Sequence, residues 1–208
     1  MKILIADDHS LLREGIKGIV SEIPSVEGVD EAVDGREALS KIRENEYDLL
    51  ILDITMPRLS GFEVLQSMRD LGIECRSMIL SMHPDDVYAT RAFNLGSVGY
   101  ISKSASFDEI RSAIRKVALG GRYVSAKLGE QLAFNETEKK LLHETLSDRE
   151  FQIMILLAKG KGLSEIASRI CISDKTVSTY RSRIMKKMGM QSNAELTIYA
   201  VTNNLLVR

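Results

Sequence analysis

No run of about 18 apolar residues occurs in this sequence, so nothing in it reads as a membrane-spanning helix. The opening "MKILIADD" reaches two aspartates after only a short apolar stretch, too little for a secretory signal, and a cytoplasmic location is the expectation. Cysteine is scarce. Cys75 and Cys171 stand far apart, give neither a disulfide framework nor metal-ligand spacing, and are expected to be packing residues. The three histidines, His9, His83 and His143, are scattered as well. "KGKG" at 159–162 lacks the upstream glycine and the Ser/Thr of a phosphate-cradling loop, which excludes that motif.

What is present is the composition of an ordinary soluble globular protein, 44% hydrophobic and 27% charged, over 208 residues. That length favours two small domains. The net charge of -1 hides an asymmetry: residues 1–120 carry 14 Lys+Arg against 20 Asp+Glu, residues 146–208 carry 10 against 5, and residues 121–145 balance at 4 against 4. An acidic first part joined to a basic end points to a polyanion as partner of the second part.

Over residues 1–120, short apolar runs alternate with amphipathic segments, a βα repeat that predicts a parallel sheet covered by helices on both faces. The predicted strands are "KILIA", "VEGVDEAV", "DLLILD", "RSMILSM" and "VGYIS". Leu11, Leu12, Ile16, Ile19 and Val20 mark the first helix, Ala38, Leu39 and Ile42 the second, and Phe62, Val64, Leu65 and Met68 the third. "DDVYATRAFNLG" and "SFDEIRSAIRKVALGG" give two more, each stopped by glycine.

Residues 121–144 are polar and weakly periodic, as suits a partly helical linker. At "LSDREF" Ser147 and Glu150 have the spacing of a capping box, and Leu146 and Phe151 that of a hydrophobic staple. Ile153, Met154, Leu156 and Leu157 continue that helix until the two glycines of "KGKG". Leu163, Ile166, Ala167 and Ile170 give the next. After the short "CISDKT" turn, Ser173 can cap a third from Asp174, with Ile172 and Val177 as its staple. Two helices across so short a turn are a helix-turn-helix, and "NAELTIYAVTNNLL" completes four. On the third helix Val177, Ile184 and Met188 form a narrow buried stripe, which leaves Lys175, Ser178, Thr179, Arg181, Ser182, Arg183, Lys186 and Lys187 on its other faces. Met154, Met185, Met188 and Met190 read as core filling.

The chemistry gathers at the carboxyl ends of the strands. "LLILDITMP" is an apolar run ending in a bare carboxylate, and a charge inside such a strand would cost several kcal/mol, about 2–7 even for a neutral polar group. Asp53 is therefore expected at the strand's exit, with Asp7 and Asp8 after strand one, Ser81 at the end of strand four and Lys103 after strand five. Three carboxylates so close repel one another unless a cation sits among them, and oxygen donors are what Mg²⁺ takes. Lys103 offers a compact charge for a carboxylate or a phosphate oxygen.

"LIADDH", "LLILDITMPRLSGFEVL", "MILSMH" and "GYISKSA" resemble the receiver domain of two-component response regulators. The resemblance implies a flavodoxin-like five-stranded α/β fold, phosphorylation of Asp53 by a sensor histidine kinase, and Mg²⁺ held by Asp8, Asp53 and the Thr55 carbonyl, with Asp7 acting through water. It further implies that Ser81 moves to bond the new phosphate while Tyr100 turns inward, that Thr55 and His83 tune dephosphorylation, and that Pro57 and Gly61 shape the backbone.

"LSDREFQIMILLAKGKGLSEIASRICISDKTVSTYRSRIMKKMGMQSNAELTIYA" resembles the all-α, four-helix DNA-binding domain of the NarL/FixJ, or LuxR-type, regulators. Leu163 stands where asparagine is usual, and Ser178, Tyr180 and Arg183 replace lysine, histidine and asparagine, so base preference does not carry over. A helix in the major groove turns polar groups to base edges and cations to phosphates. Ser178, Thr179 and Ser182 are the expected base readers. Lys175, Thr176, Arg181, Arg183 and Lys186 are the expected phosphate contacts. One helix in one groove binds weakly, so a homodimer on inverted half-sites of a promoter is expected. The resemblance places its contact at Ala194, Ile198, Val201 and Thr202, and implies work with RNA polymerase.

The expected organisation is thus a receiver over residues 1–120, a linker over 121–144 and a helix-turn-helix domain over 145–208. One rival is a DNA-binding regulator whose receiver is never phosphorylated. Another is a hydrolase of the haloacid dehalogenase type, which needs a second aspartate two residues after the first, where this chain has Thr55.

Overall fold

A computed structural model describes residues 1–82, 85–125, 129, 141–203 and 205–206, the side chains of 85–87 excepted. His83 and most of the expected linker lie outside the described residues. The chain divides into two compact units, Met1–Asn135 and Glu136–Arg208.

In the first unit five strands alternate with five helices: β1 Lys2–Ala6, α1 Ser10–Ser21, β2 Gly28–Ala32, α2 Gly35–Glu44, β3 Leu49–Leu52, α3 Gly61–Asp70, β4 Arg76–Ser81, α4 Asp85–Asn94, β5 Gly99–Ser102 and α5 Phe107–Ala118. All strand pairs are parallel, in the order β2-β1-β3-β4-β5. Order reverses between β1 and β3, and the crevice beyond the carboxyl ends at such a point is where open α/β sheets bind ligands. Every residue of β3 is buried, as its unbroken apolar run requires. One side of the sheet packs Ile3, Ile5, Ile51 and Leu80 against Ile16 and Val20 of α1 and Ile110 and Ile114 of α5. Each such side chain contributes about 1.5–3 kcal/mol by leaving water.

Several expectations change in detail. Strand two is shorter than "VEGVDEAV", because Val26 and Glu27 only lead into it and Val33 lies beyond its end. Leu11, placed with the apolar stripe of α1, is 86% exposed. Residues 121–125, assigned to a partly helical linker, hold no helix, and Tyr123 pairs with β5 through its amide on the Val98 carbonyl and its carbonyl on the Tyr100 amide. That contact covers the edge of β5.

The second unit holds a 3₁₀ turn, Leu142–Thr145, then α6 Asp148–Ala158, α7 Leu163–Arg169, α8 Asp174–Met188 and α9 Asn193–Thr202. The Ser147–Glu150 capping box starts α6, with Leu146 and Phe151 both buried. Of the two glycines in "KGKG", Gly160 ends α6 at φ 78, whereas Gly162 is the N-cap of α7. The last helix stops at Thr202, short of the full expected stretch. Cys171, assigned to packing, is exposed at φ 54 in the turn between α7 and α8. Met185 and Met190 are only half-buried, while Met154 and Met188 are core.

Candidate functional site

Pairing continues one residue past the strands. The amide of Asp7 bonds the Ala32 carbonyl at 3.1 Å, that of Asp53 the Ala6 carbonyl at 2.8 Å, and that of Lys103 the Ser81 carbonyl at 2.8 Å. Three residues on three strand ends are thereby fixed in one row along the sheet's edge. Lys103 Nζ stands 2.6 Å from Asp7 Oδ2 and 2.8 Å from Asp53 Oδ2, all three side chains buried. Asp53 is thus buried at the exit of β3, and the ammonium is what makes a charge tolerable there. Burial lifts its carboxyl to about 6 against the pull of Lys103, with Asp7 adding to the rise and the Thr55 amide opposing it. Ser81 ends β4 and Tyr100 lies within β5, and both are buried.

Asp8 is partly exposed beside this row. His9, scattered among the histidines in sequence, joins it here: its Nδ1 is 3.1 Å from Asp7 Oδ1 and 2.9 Å from Asp8 Oδ1. Its position directly after two aspartates is the only sequence signal for that. Donor atoms of Asp7, Asp8, His9 and Asp53 all lie within 4.8 Å of one another. Three carboxylates face one ammonium, and buried Asp7 Oδ2 has the ionic contact of Lys103 but no hydrogen bond. Oxygen-rich and short of positive charge, the corner fits a hard dication.

Behind it, the loop from β3 to α3 is braced from three sides. Gly61 donates its amide to Ile54 at 2.9 Å, and Ser60 with Glu63 forms a capping box on α3. Arg58, at φ 65, reaches Asp34 Oδ2 at 3.0 Å, while Asp34 Oδ1 caps α2 through the Arg36 and Glu37 amides. Arg13 Nη1 donates to the Asp7 carbonyl at 2.7 Å. Neither arginine has a sequence signature, since the Arg58 contact spans 24 residues and the Arg13 contact folds α1 back onto the end of β1.

In the second unit α8 starts as expected, Ser173 accepting from the Thr176 amide at 3.1 Å, and Val177, Ile184 and Met188 are its buried stripe. Lys175, Thr176, Ser178, Thr179, Ser182, Arg183 and Lys186 are exposed. Thr179 and Ser182 donate their hydroxyls to the carbonyls of Lys175 and Ser178, which leaves their oxygens as acceptors. Two cations also bond within the unit. Arg181 is half-buried, its Nε donating to Asn193 of α9 at 2.9 Å, and Lys187, counted among the available groups, is bound to buried Glu150 at 2.6 Å. On α9, Ala194, Ile198, Val201 and Thr202 are exposed on one face.

Residues 3–115 match the family described as response regulator receiver domain, and residues 144–200 that described as bacterial regulatory proteins, luxR family. The response regulator UvrY of Escherichia coli (strain K12) is 32% identical, over 99% of this chain and 95% of that protein. Response regulator GacA of Pseudomonas aeruginosa is also 32% identical, over 99% and 98%. A LuxR-family two-component response regulator from Aurantimonas sp. is 31% identical over 66% of this chain and 98% of its own, with a TM-score of 0.59. RcsB of Salmonella enterica serovar Typhimurium, solved on promoter DNA with the phosphomimetic BeF3⁻, shares the fold at a TM-score of 0.66 and 22% identity, over 99% and 98%.

Proposed function

This chain belongs to the two-component response regulators that join a receiver to a LuxR-type DNA-binding domain, and from that premise we propose that Asp53 is its phosphoacceptor. Transcription regulation through DNA is the function of that family. The observation that carries the proposal is the buried Asp53 carboxylate held 2.8 Å from the Lys103 ammonium in the row with Asp7.

In this reading a carboxylate oxygen of Asp53 attacks the phosphorus of a phosphohistidine on the sensor kinase. The P–O bond forms as the P–N bond breaks, and the imidazole departs with the electron pair. Lys103 neutralises phosphoryl oxygens as charge spreads over them, and the strand-end row holds the nucleophile in place, which is most of the work in a loose transition state. Asp8, Asp53 and the Thr55 carbonyl, with Asp7 behind them, would hold a dication such as Mg²⁺. Bound there, it supplies further positive charge toward the phosphoryl oxygens. Ser81 then donates its hydroxyl to the aspartyl phosphate, and Tyr100 in its buried position fixes the repacked face of α4, β5 and α5.

The output is a homodimer on inverted promoter half-sites, joined through Ala194, Ile198, Val201 and Thr202 of α9, acting on RNA polymerase in the cytoplasm. Its parts are a receiver over residues 1–120, a linker over 121–144 and the DNA-binding domain over 145–208. Ser178, Thr179 and Ser182 read base edges, while Lys175, Thr176, Arg181, Arg183 and Lys186 hold phosphates. Treating the purified chain with a small phosphodonor and Mg²⁺ and mapping the added phosphoryl group tests the acceptor. The peptide holding Asp53 should carry it. A phosphoryl group found only elsewhere, or none at all, overturns the assignment.

A further inference from the structure

We infer that His9 is a nitrogen donor of the cation site, so that the corner takes imidazole-accepting dications of the Zn²⁺ class far more tightly than its carboxylates alone would. The inference rests on the reading of Asp8 and Asp53 as cation ligands and names a residue and a metal class that reading does not.

Position is the first argument. Nδ1 of His9 meets one oxygen of Asp7 at 3.1 Å and one of Asp8 at 2.9 Å, and the His9 amide also donates to Asp7 Oδ1 at 2.8 Å. The amide bond and the ring thus both fall on the Asp7 Oδ1 side of the carboxylate whose Oδ2 shares Lys103 with Asp53, and a donor atom of His9 falls within the 4.8 Å set. Carboxylates only accept hydrogen bonds, so in this arrangement Nδ1 presents its N–H to both. A dication shared by these oxygens would take that proton's place, with the ring as its Nε2–H tautomer.

Availability is the second. His9 is the N-cap residue of α1 but makes no side-chain capping bond, and its side chain is 65% exposed. The groups facing it are Asp7 and Asp8, with Lys103 and Asp53 behind them and Arg13 turned to the Asp7 carbonyl and Glu31. No packing or capping duty therefore explains its orientation.

Chemistry is the third. Carboxylate and carbonyl oxygens suit Mg²⁺, whereas imidazole suits Zn²⁺ and its first-row neighbours. Mg²⁺ prefers oxygen and holds its waters, so it has little use for the ring. His9 should therefore separate the two metals.

The test is calorimetric titration of the full-length chain with Zn²⁺ and, separately, Mg²⁺, for wild type, His9→Phe and Asp53→Ala. Long-range proton–nitrogen correlation on histidine-labelled protein follows the ring itself. The expected result is a loss of about tenfold or more in Zn²⁺ affinity for His9→Phe, well beyond any change in its Mg²⁺ affinity, and a metal-dependent shift at Nδ1 of His9 in wild type. Circular dichroism and unfolding equal to wild type's certify that the variant is folded, and an equal loss for both metals overturns the inference. If Zn²⁺ binds in wild type and is weakened by Asp53→Ala but not by His9→Phe, or leaves the His9 nitrogen unmoved, the inference is overturned and the carboxylate site stands. Should neither metal bind in a manner sensitive to Asp53→Ala, the underlying reading falls, and the inference with it.

Discussion

Gly61 lies so close to Asp53 that a Cβ on it would meet the Asp53 carbonyl oxygen at 2.3 Å. A contact that short is closed to any side chain, and the atom it would displace is backbone at the strand's exit. Gly61→Ala should cost about 1–3 kcal/mol, as forced overpacking does, and shift the acceptor carboxylate off its row. Denaturant unfolding measures the first effect. The phosphorylation rate with a small phosphodonor measures the second, and both should fall together.

Lys103→Met leaves the carboxylates of Asp7 and Asp53 facing each other, buried and without their shared ammonium. Removing a fixed charge from a developing phosphoryl anion should slow phosphorylation roughly a hundredfold. Quantified acyl-phosphate formation over time checks this, and a rate equal to wild type would remove Lys103 from the account.

Burial pushes the Glu150 carboxyl up, but the Lys187 ammonium and the Ser147 amide and hydroxyl outweigh it, leaving Glu150 below its ordinary value of 4.5. A carboxyl lowered on folding adds stability that is present above the unfolded value and disappears as pH falls through the folded one. Glu150→Gln keeps the capping box but not the ion pair, whose lysine side chain is 43% exposed. At neutral pH it should be less stable by about 1 kcal/mol, after allowing for solvent screening. The gap should close below roughly pH 4.5. Thermal unfolding of both proteins across acidic pH measures it.

These contacts divide what sequence can disclose from what it cannot. Asp53, Lys103 and the Ser147–Glu150 and Ser173–Thr176 caps are legible because each is fixed by its neighbours in sequence: an apolar run, a strand end, a three-residue spacing. His9 on Asp7 and Asp8 was nearly legible, since only the direction of one ring was missing. Arg58 on Asp34, Arg181 on Asn193 and Lys187 on Glu150 were not, because each depends on how two elements pack. The exposure of Leu11 belongs to the same class, for apolar periodicity places a residue on a face without saying whether anything covers it there, and that of Cys171 does too, since a lone cysteine's burial depends on its neighbours in space.

On α8, Lys186 and Arg181 should behave differently. Lys186 is exposed, so Lys186→Ala should weaken DNA binding evenly across sequences and lower the salt slope by about one. Arg181→Ala should also loosen α9, because its guanidinium holds Asn193 at the first position of that helix. Fluorescence anisotropy against salt, paired with thermal unfolding, separates the two: only Arg181→Ala should lose stability.

DNA affinity of the full-length chain before and after phosphodonor treatment, in wild type and Asp53→Ala, probes the central claim most directly. A DNA sequence selected from a random pool serves as the ligand. The account predicts a gain in affinity and a shift to dimer for wild type alone. An equal gain in Asp53→Ala, or no gain in a wild type shown to be phosphorylated at Asp53, would contradict it.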